Sequence, residues 1–193
     1  MTEIVLFHSV LGVRAGVRDI AARLAAAGHT VHVIDLFDGA SFDGYEPAFA
    51  YVQSLGGDEA LLEKAAAAVA DLPAEVVYAG LSMGAASAVY LAATRPGARG
   101  LIGLHGAVSP HWFGVSSWPD TVPVQVHEGE YDPFREPDEI AALGASVRAG
   151  GARFEHFVYP DVRGHLFSDA SLPNEYDGDA AGLMLSRLLE FVK

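Results

Sequence analysis

The chain has 193 residues, 51% of them apolar, which suits one folded domain (1–193) with a single large core. Its formal net charge of −13 argues against nucleic-acid binding, which needs a basic face, and against adhesion to an anionic membrane. With no cysteine there is no disulfide framework, no thiolate nucleophile and no cysteine metal site.

Met1–His8 runs straight into a strand-like segment without the basic stretch of a secretory leader, so a cytoplasmic location is expected. Ile4–His8, Thr30–Ile34, Val76–Ala79, Gly100–Leu104, Val122–His127 and Phe154–Tyr159 read as strands. Between and after them, Gly16–Ala27, Gly57–Ala70, Met83–Thr94, Pro137–Ala149 and Asp179–Val192 read as helices, with Gly28, Gly97 and Gly150-Gly151 placed as C-caps. Several strands are apolar on both alternating sets, as in a parallel sheet covered on both faces. The alternation predicts a doubly wound α/β domain of about six strands with ligands at the carboxyl edge of the sheet. Phe37–Leu55 and His105–Thr121 are expected to be irregular.

Gly80-Leu81-Ser82-Met83-Gly84 lies between a predicted strand and a predicted helix. That is the layout of a nucleophile elbow, in which a sharp turn lifts the serine hydroxyl above the sheet edge. The helix that follows aims its first N–H groups at any oxyanion formed there. A side chain at Gly80 or Gly84 would collide with a neighbouring element. The pentapeptide alone is a weak pattern, so its context carries the inference.

An activated serine needs a base to take its proton and a carboxylate to orient that base. Asp132 follows the strand Val122–His127 and is the candidate acid, with Glu130 as its rival. His165, in the loop after Phe154–Tyr159, is the candidate base, its loop turned by Gly164. His8, His105 and His127 come too early for the Ser–acid–His chain order, while His29, His32, His111 and His156 read as surface or core residues. Two N–H groups are needed for the oxyanion: one from Met83, the other from the loop His8–Gly12, with Val10 favoured. Phe37, Trp112, Phe113, Trp118, Phe134 and Phe167 lie on loops at the same edge and are candidates for a substrate wall.

These segments together resemble the dienelactone hydrolases over nearly the whole chain. The resemblance rests on the opening strand and loop with Gly12, on Ile34-Asp35-Leu36-Phe37 with Gly39 and Ser41-Phe42-Asp43, on the elbow at Ser82, and on His127-x-Gly129-x-x-Asp132-Pro133-Phe134 with Gly164-His165-x-Phe167. It implies an α/β-hydrolase fold without a lid domain and hydrolysis of an ester or lactone through an acyl-enzyme. It also implies Ser82, Asp132 and His165 as the triad, with Val10 and Met83 as oxyanion donors. Three departures stand out. Serine replaces the cysteine nucleophile of the founding members. Ser9 stands where they carry a glutamate, and Asp169 stands where they carry a substrate-binding arginine, the stretch bearing a second such arginine being shortened. An anionic lactone is therefore disfavoured as substrate.

The expected partner is a small ester or lactone, handled by a monomer or small homo-oligomer without metal or organic cofactor. The histidines show no metal-ligand spacing. An acyl thioesterase remains an alternative, as does a hydrolase-like scaffold that only binds. A dinucleotide site fits poorly, because Gly12 and Gly16 are spaced G-x-x-x-G without the G-x-G-x-x-G that lets backbone approach a pyrophosphate.

Overall fold

The computed structural model describes residues 1–193. Its six strands are β1 (Glu3–Phe7), β2 (Thr30–Ile34), β3 (Val76–Leu81), β4 (Gly100–Leu104), β5 (Val124–Gly129) and β6 (Phe154–Tyr159). All pair in parallel, in the order β2-β1-β3-β4-β5-β6. Helices α1 (Ala15–Ala26), α2 (Tyr45–Ser54), α3 (Gly57–Ala68), α4 (Met83–Thr94), α5 (Pro137–Ala149) and α6 (Gly178–Phe191) complete the chain. The strand order reverses between β1 and β3, and a crevice opens where two neighbouring strands send their connections to opposite sides.

Alternation along each strand divides the core in two. Val5, Phe7, Val76 and Tyr78 face one layer with Val52 of α2, Leu61 of α3, Leu91 of α4 and Leu143 of α5. Ile4, Leu6, Val77 and Ala79 face the other with Ile20 and Leu24 of α1 and Met184 and Leu188 of α6. Each such fully buried aliphatic or aromatic side chain contributes about 1.5–3 kcal/mol through removal from water. Helix α4 is the most enclosed, with Gly84, Ala85, Ser87, Ala88, Val89, Leu91 and Ala92 all buried, so its small residues let it lie close against the sheet.

Most predicted elements lie within two residues of their observed bounds, and the exceptions have local causes. Helix α2 occupies part of the stretch Phe37–Leu55 that was expected to be irregular. Pro47 falls in its first turn, where a missing N–H costs nothing, and only Ala48 and Val52 are buried, which leaves little apolar periodicity to read. Strand β5 begins at Val124 rather than Val122, because Val122 donates its N–H to Pro119 in a turn and Pro123 has none to give. The segment His105–Thr121 contains a short 3-10 turn at Pro110–Phe113, capped by the Ser109 hydroxyl accepting from the His111 N–H.

Two close approaches fix the carboxyl edge. At Gly12, in the left-handed region (φ +86°), a Cβ would come within 2.4 Å of the Ala40 carbonyl oxygen. The loop after β1 is therefore clamped against the Gly39–Asp43 stretch. Phe42 N–H donates to Leu11 O at 3.0 Å, and the Arg14 guanidinium donates to Phe42 O at 2.7 Å. Gly16 abuts Asp169, whose side chain would meet a Cβ at 2.5 Å, so this glycine serves packing between α1 and the loop before α6.

Candidate active site

Ser82 sits between β3 and α4 with φ 50° and ψ −116°, a backbone conformation that costs a non-glycine residue about 1–3 kcal/mol. Its neighbours hold it there. The Ser82 N–H donates to Leu104 O at the end of β4 at 2.7 Å. A Cβ at Gly80 would lie 2.1 Å from the Gly84 carbonyl oxygen, and one at Gly84 would lie 2.4 Å from that of His8. Helix α4 thus packs directly on the ends of β3 and β1, and only glycine leaves room for it.

The His165 imidazole lies between Ser82 and Asp132. Its Nδ1–H donates to Asp132 Oδ2 at 2.7 Å, and its Nε2 accepts from the Ser82 hydroxyl at 2.6 Å. A carboxylate only accepts, so the Asp132 contact fixes the Nδ1–H tautomer and leaves Nε2 basic toward the serine. Asp132 and His165 are both buried. Asp132 is also a turn residue, its Oδ1 accepting from the Phe134 N–H at 2.8 Å, so one carboxylate both shapes its loop and orients the ring. Glu130 is exposed and accepts instead from the Asp161 N–H at 3.1 Å, away from the imidazole.

Gly164 was expected to serve a tight turn, but its φ is not positive. Its need is space, since a Cβ would lie 2.1 Å from the Glu175 carbonyl oxygen. Glu175 braces the other side of His165 as well, accepting the Leu166 N–H on Oε2 at 2.7 Å.

Val10 and Met83 both line the crevice beside Ser82. The Val10 N–H donates to no protein acceptor, and Met83 is the first residue of α4, where N–H groups have no intrahelical partner.

Beside the serine lies a cavity of about 320 Å³. Its wall includes Trp112, Phe113 and Phe134 from the predicted set. Phe37 and Phe167 do not line it. Phe37 is buried against the His8, Phe42 and Tyr51 rings, and Phe167 is buried with its ring 4.6 Å from that of His105. Trp118 is likewise buried in the core, its indole N–H donating to Val122 O at 2.8 Å. Sequence reasoning missed Tyr45 and Phe49 of α2, Leu61 and Leu62 of α3, and Ile140 of α5. The only local signal for α2 is the pair Ala48 and Val52 at helical spacing behind an early proline, too short a repeat to mark a helix.

The dienelactone hydrolase family model matches residues 1–193. The chain belongs to the dienelactone hydrolase family. Among solved structures it is similar to a dienelactone hydrolase-like promiscuous phosphotriesterase from metagenomic libraries, at 20% identity and a TM-score of 0.82, covering 100% of this chain and 85% of that one. A dienelactone hydrolase from Anabaena variabilis matches at 21% identity and a TM-score of 0.63 (100% and 88% covered). The thioesterase domain from the curacin biosynthetic pathway matches at 14% and 0.62 (97% and 90% covered). These likenesses establish the α/β-hydrolase fold. A search of curated proteins finds no significant match.

Two departures from the founding dienelactone hydrolases take on a structural meaning. Ser9 turns its hydroxyl to the Leu11 N–H at 3.2 Å within its own loop. Asp169 does not add a carboxylate to the cavity: it is buried, accepts the Ser171 N–H and hydroxyl, and faces Arg14 Nε at 3.6 Å. The carboxylates that do line the cavity are Asp58 and Glu136, both exposed.

Among the three other strand-end histidines, only His105 reaches the cavity. It is buried with φ 63°, its Nε2 lies 2.7 Å from the Ser168 hydroxyl, and its Nδ1 has no protein partner. Burial, then the nearby His165 and His127, hold it well below the usual imidazole range. His8 donates from Nδ1 to Ser9 O at 2.6 Å and accepts the Leu36 N–H on Nε2 at 2.9 Å, a neutral ring fixed by its partners. His127 is bracketed by the Tyr159 hydroxyl and Gln125 Oε1, each at 2.8 Å, and burial pushes it down to about 3. No group of three or more His, Cys, Asp or Glu residues is arranged to hold a metal ion.

Proposed function

We propose that this family member is a serine hydrolase that cleaves a carboxylic ester or lactone through an acyl-enzyme on Ser82. The observation that carries this reading is the unbroken relay from Asp132 Oδ2 through His165 to the Ser82 hydroxyl, with contacts of 2.7 and 2.6 Å. His165 removes the serine proton as the oxygen attacks the carbonyl carbon, and Asp132 stabilises the imidazolium that results. The tetrahedral oxyanion rests on the N–H groups of Val10 and Met83. His165 then returns the proton to the leaving alcohol. Water, deprotonated by the same imidazole, attacks the acyl carbon and releases the acid with Ser82 restored.

A scaffold that only binds would have no physical reason to keep a strained serine, at φ 50°, hydrogen-bonded to a base oriented by a buried carboxylate. Labelling by a fluorophosphonate tests the reading. A single adduct on Ser82, abolished in Ser82→Ala, is expected; no adduct on the native protein would overturn it. Turnover of p-nitrophenyl esters, lactones and acyl thioesters by the same protein then ranks ester or lactone against thioester.

A further inference from the structure

The cavity beside Ser82 is small, at the low end of small-molecule sites, and its charge is one-sided. No lysine or arginine lines it. Arg14 is engaged by Phe42, Asp43 and Ser171, and Lys64 of α3 pairs with Asp38 at 2.7 Å outside the cavity. Asp58 in the first turn of α3 and Glu136 at the start of α5 both line it, both are exposed, and neither has a salt-bridge partner. His105 adds no positive charge, because burial keeps it neutral.

The cavity also carries five aromatic side chains. Phe49, Trp112 and Phe134 are 47%, 59% and 44% exposed, yet they line one opening together with Tyr45 and Phe113. The Phe134 ring lies 5.0 Å from Tyr45 and 4.9 Å from His165, so this aromatic wall reaches the catalytic imidazole itself. Aromatic faces attract cations through their quadrupole, and a carboxylate taken into such a site loses hydration without gaining a partner.

We propose that this cavity selects its substrate by charge, accepting esters with an apolar acyl chain that ends neutral or cationic and rejecting those that end in a carboxylate. The proposal rests on Ser82 being the nucleophile only for its kinetic readout; the selection itself is a property of the wall and mouth. It also runs against polyanionic acyl carriers, which would have to pass Asp58 and Glu136.

Three p-nitrophenyl esters of matched length test it: hexanoate, the monoester of adipate, and 6-(trimethylammonio)hexanoate. The hexanoate should exceed the adipate monoester in kcat/KM by about 100-fold, and the ammonium ester should at least equal the hexanoate. In Asp58→Asn/Glu136→Gln the cation-to-anion ratio should fall by about tenfold. The corresponding three p-nitroanilides, titrated into the Ser82→Ala protein by calorimetry, should bind in the same order. If the adipate ester is turned over within threefold of the hexanoate, or the double variant leaves the ratio unchanged, the selection is overturned. If no ester is turned over but the anilides keep the order, the nucleophile reading fails and the selection stands. If neither turnover nor anilide binding is seen, the selection fails too.

Discussion

Glu175 holds the Tyr45 hydroxyl between its two carboxylate oxygens, each at 2.9 Å, while Oε2 also accepts the N–H of Leu166 at 2.7 Å. Tyr45 is part of the cavity wall on α2, and Leu166 directly follows His165. One carboxylate therefore ties the cavity wall to the loop that carries His165. Burial, then Glu175, raises the Tyr45 phenol well above its ordinary value, so it remains a donor at every working pH.

Glu175 is accordingly a positioning residue. Glu175→Ala should lower kcat by tens of fold and stability by about 2 kcal/mol, the worth of hydrogen bonds to a charged group. Glu175→Gln should recover much of kcat, because its amide oxygen can still accept the Leu166 N–H. Tyr45→Phe should raise KM more than it lowers kcat. Steady-state kinetics and urea unfolding of the three variants check this; equal kcat in Glu175→Ala and wild type would refute it.

Ser82 combines strain with its proposed chemistry. On the proposed chemistry, Ser82→Ala should lower turnover by up to about 10⁶-fold, the loss known for a serine hydrolase stripped of its nucleophile. Ser82→Gly should be equally inactive but gain about 1 kcal/mol of stability, since glycine adopts φ 50° freely. Activity and thermal midpoint measured on both proteins separate the two effects.

Gly80→Ala and Gly84→Ala should each cost more than about 3 kcal/mol, because the added methyl would meet backbone oxygens at 2.1 and 2.4 Å rather than a movable side chain. Soluble yield and urea midpoints are the measurements.

The buried histidines make the protein acid-sensitive. His8, His105 and His127 are all held below the unfolded imidazole value of 6.5, His127 at about 3. Above pH 6.5 native and unfolded forms are both neutral at these sites, and no stability is lost. As pH falls below 6.5 the unfolded chain takes up protons that the native one refuses. His127 then removes about 1.4 kcal/mol per pH unit until pH approaches 3, and His8 and His105 act in the same direction. Urea unfolding between pH 7 and pH 5 should show this fall, and His127→Gln should flatten the slope by about that amount.

Trp112→Ala should raise KM for a p-nitrophenyl ester severalfold with little change in stability, because its ring is 59% exposed at the mouth. Phe37→Ala and Phe167→Ala should instead cost about 3–5 kcal/mol, since both rings are buried away from the cavity. Parallel kinetics and melting curves on the three variants test the division.

The elbow was legible in the sequence because close packing leaves few residue types possible there: Gly80 and Gly84 each face backbone, and the strand and helix on either side are strongly patterned. Asp132 and His165 could be picked out by chain order, since parallel strands deliver successive loops to one edge. The wall was harder. Phe37 and Phe134 both follow strand ends, and nothing in the residues around either says that Phe37 is buried against His8 while Phe134 stays half-exposed on the cavity wall. Glu175 was invisible for a related reason. Its partners Tyr45, Gly164 and Leu166 come together only in the folded chain, and a lone glutamate in a polar loop carries no local pattern.

The contact between Gly84 and the His8 carbonyl has a dynamic corollary. Because the start of α4 is wedged against the end of β1, the amides of Val10 and Met83 belong to one rigid frame that exists before any substrate arrives. On the proposed chemistry, charge stabilisation then demands no rearrangement, and the half-exposed Phe49, Trp112 and Phe134 are the wall side chains with the most room to adjust to what binds.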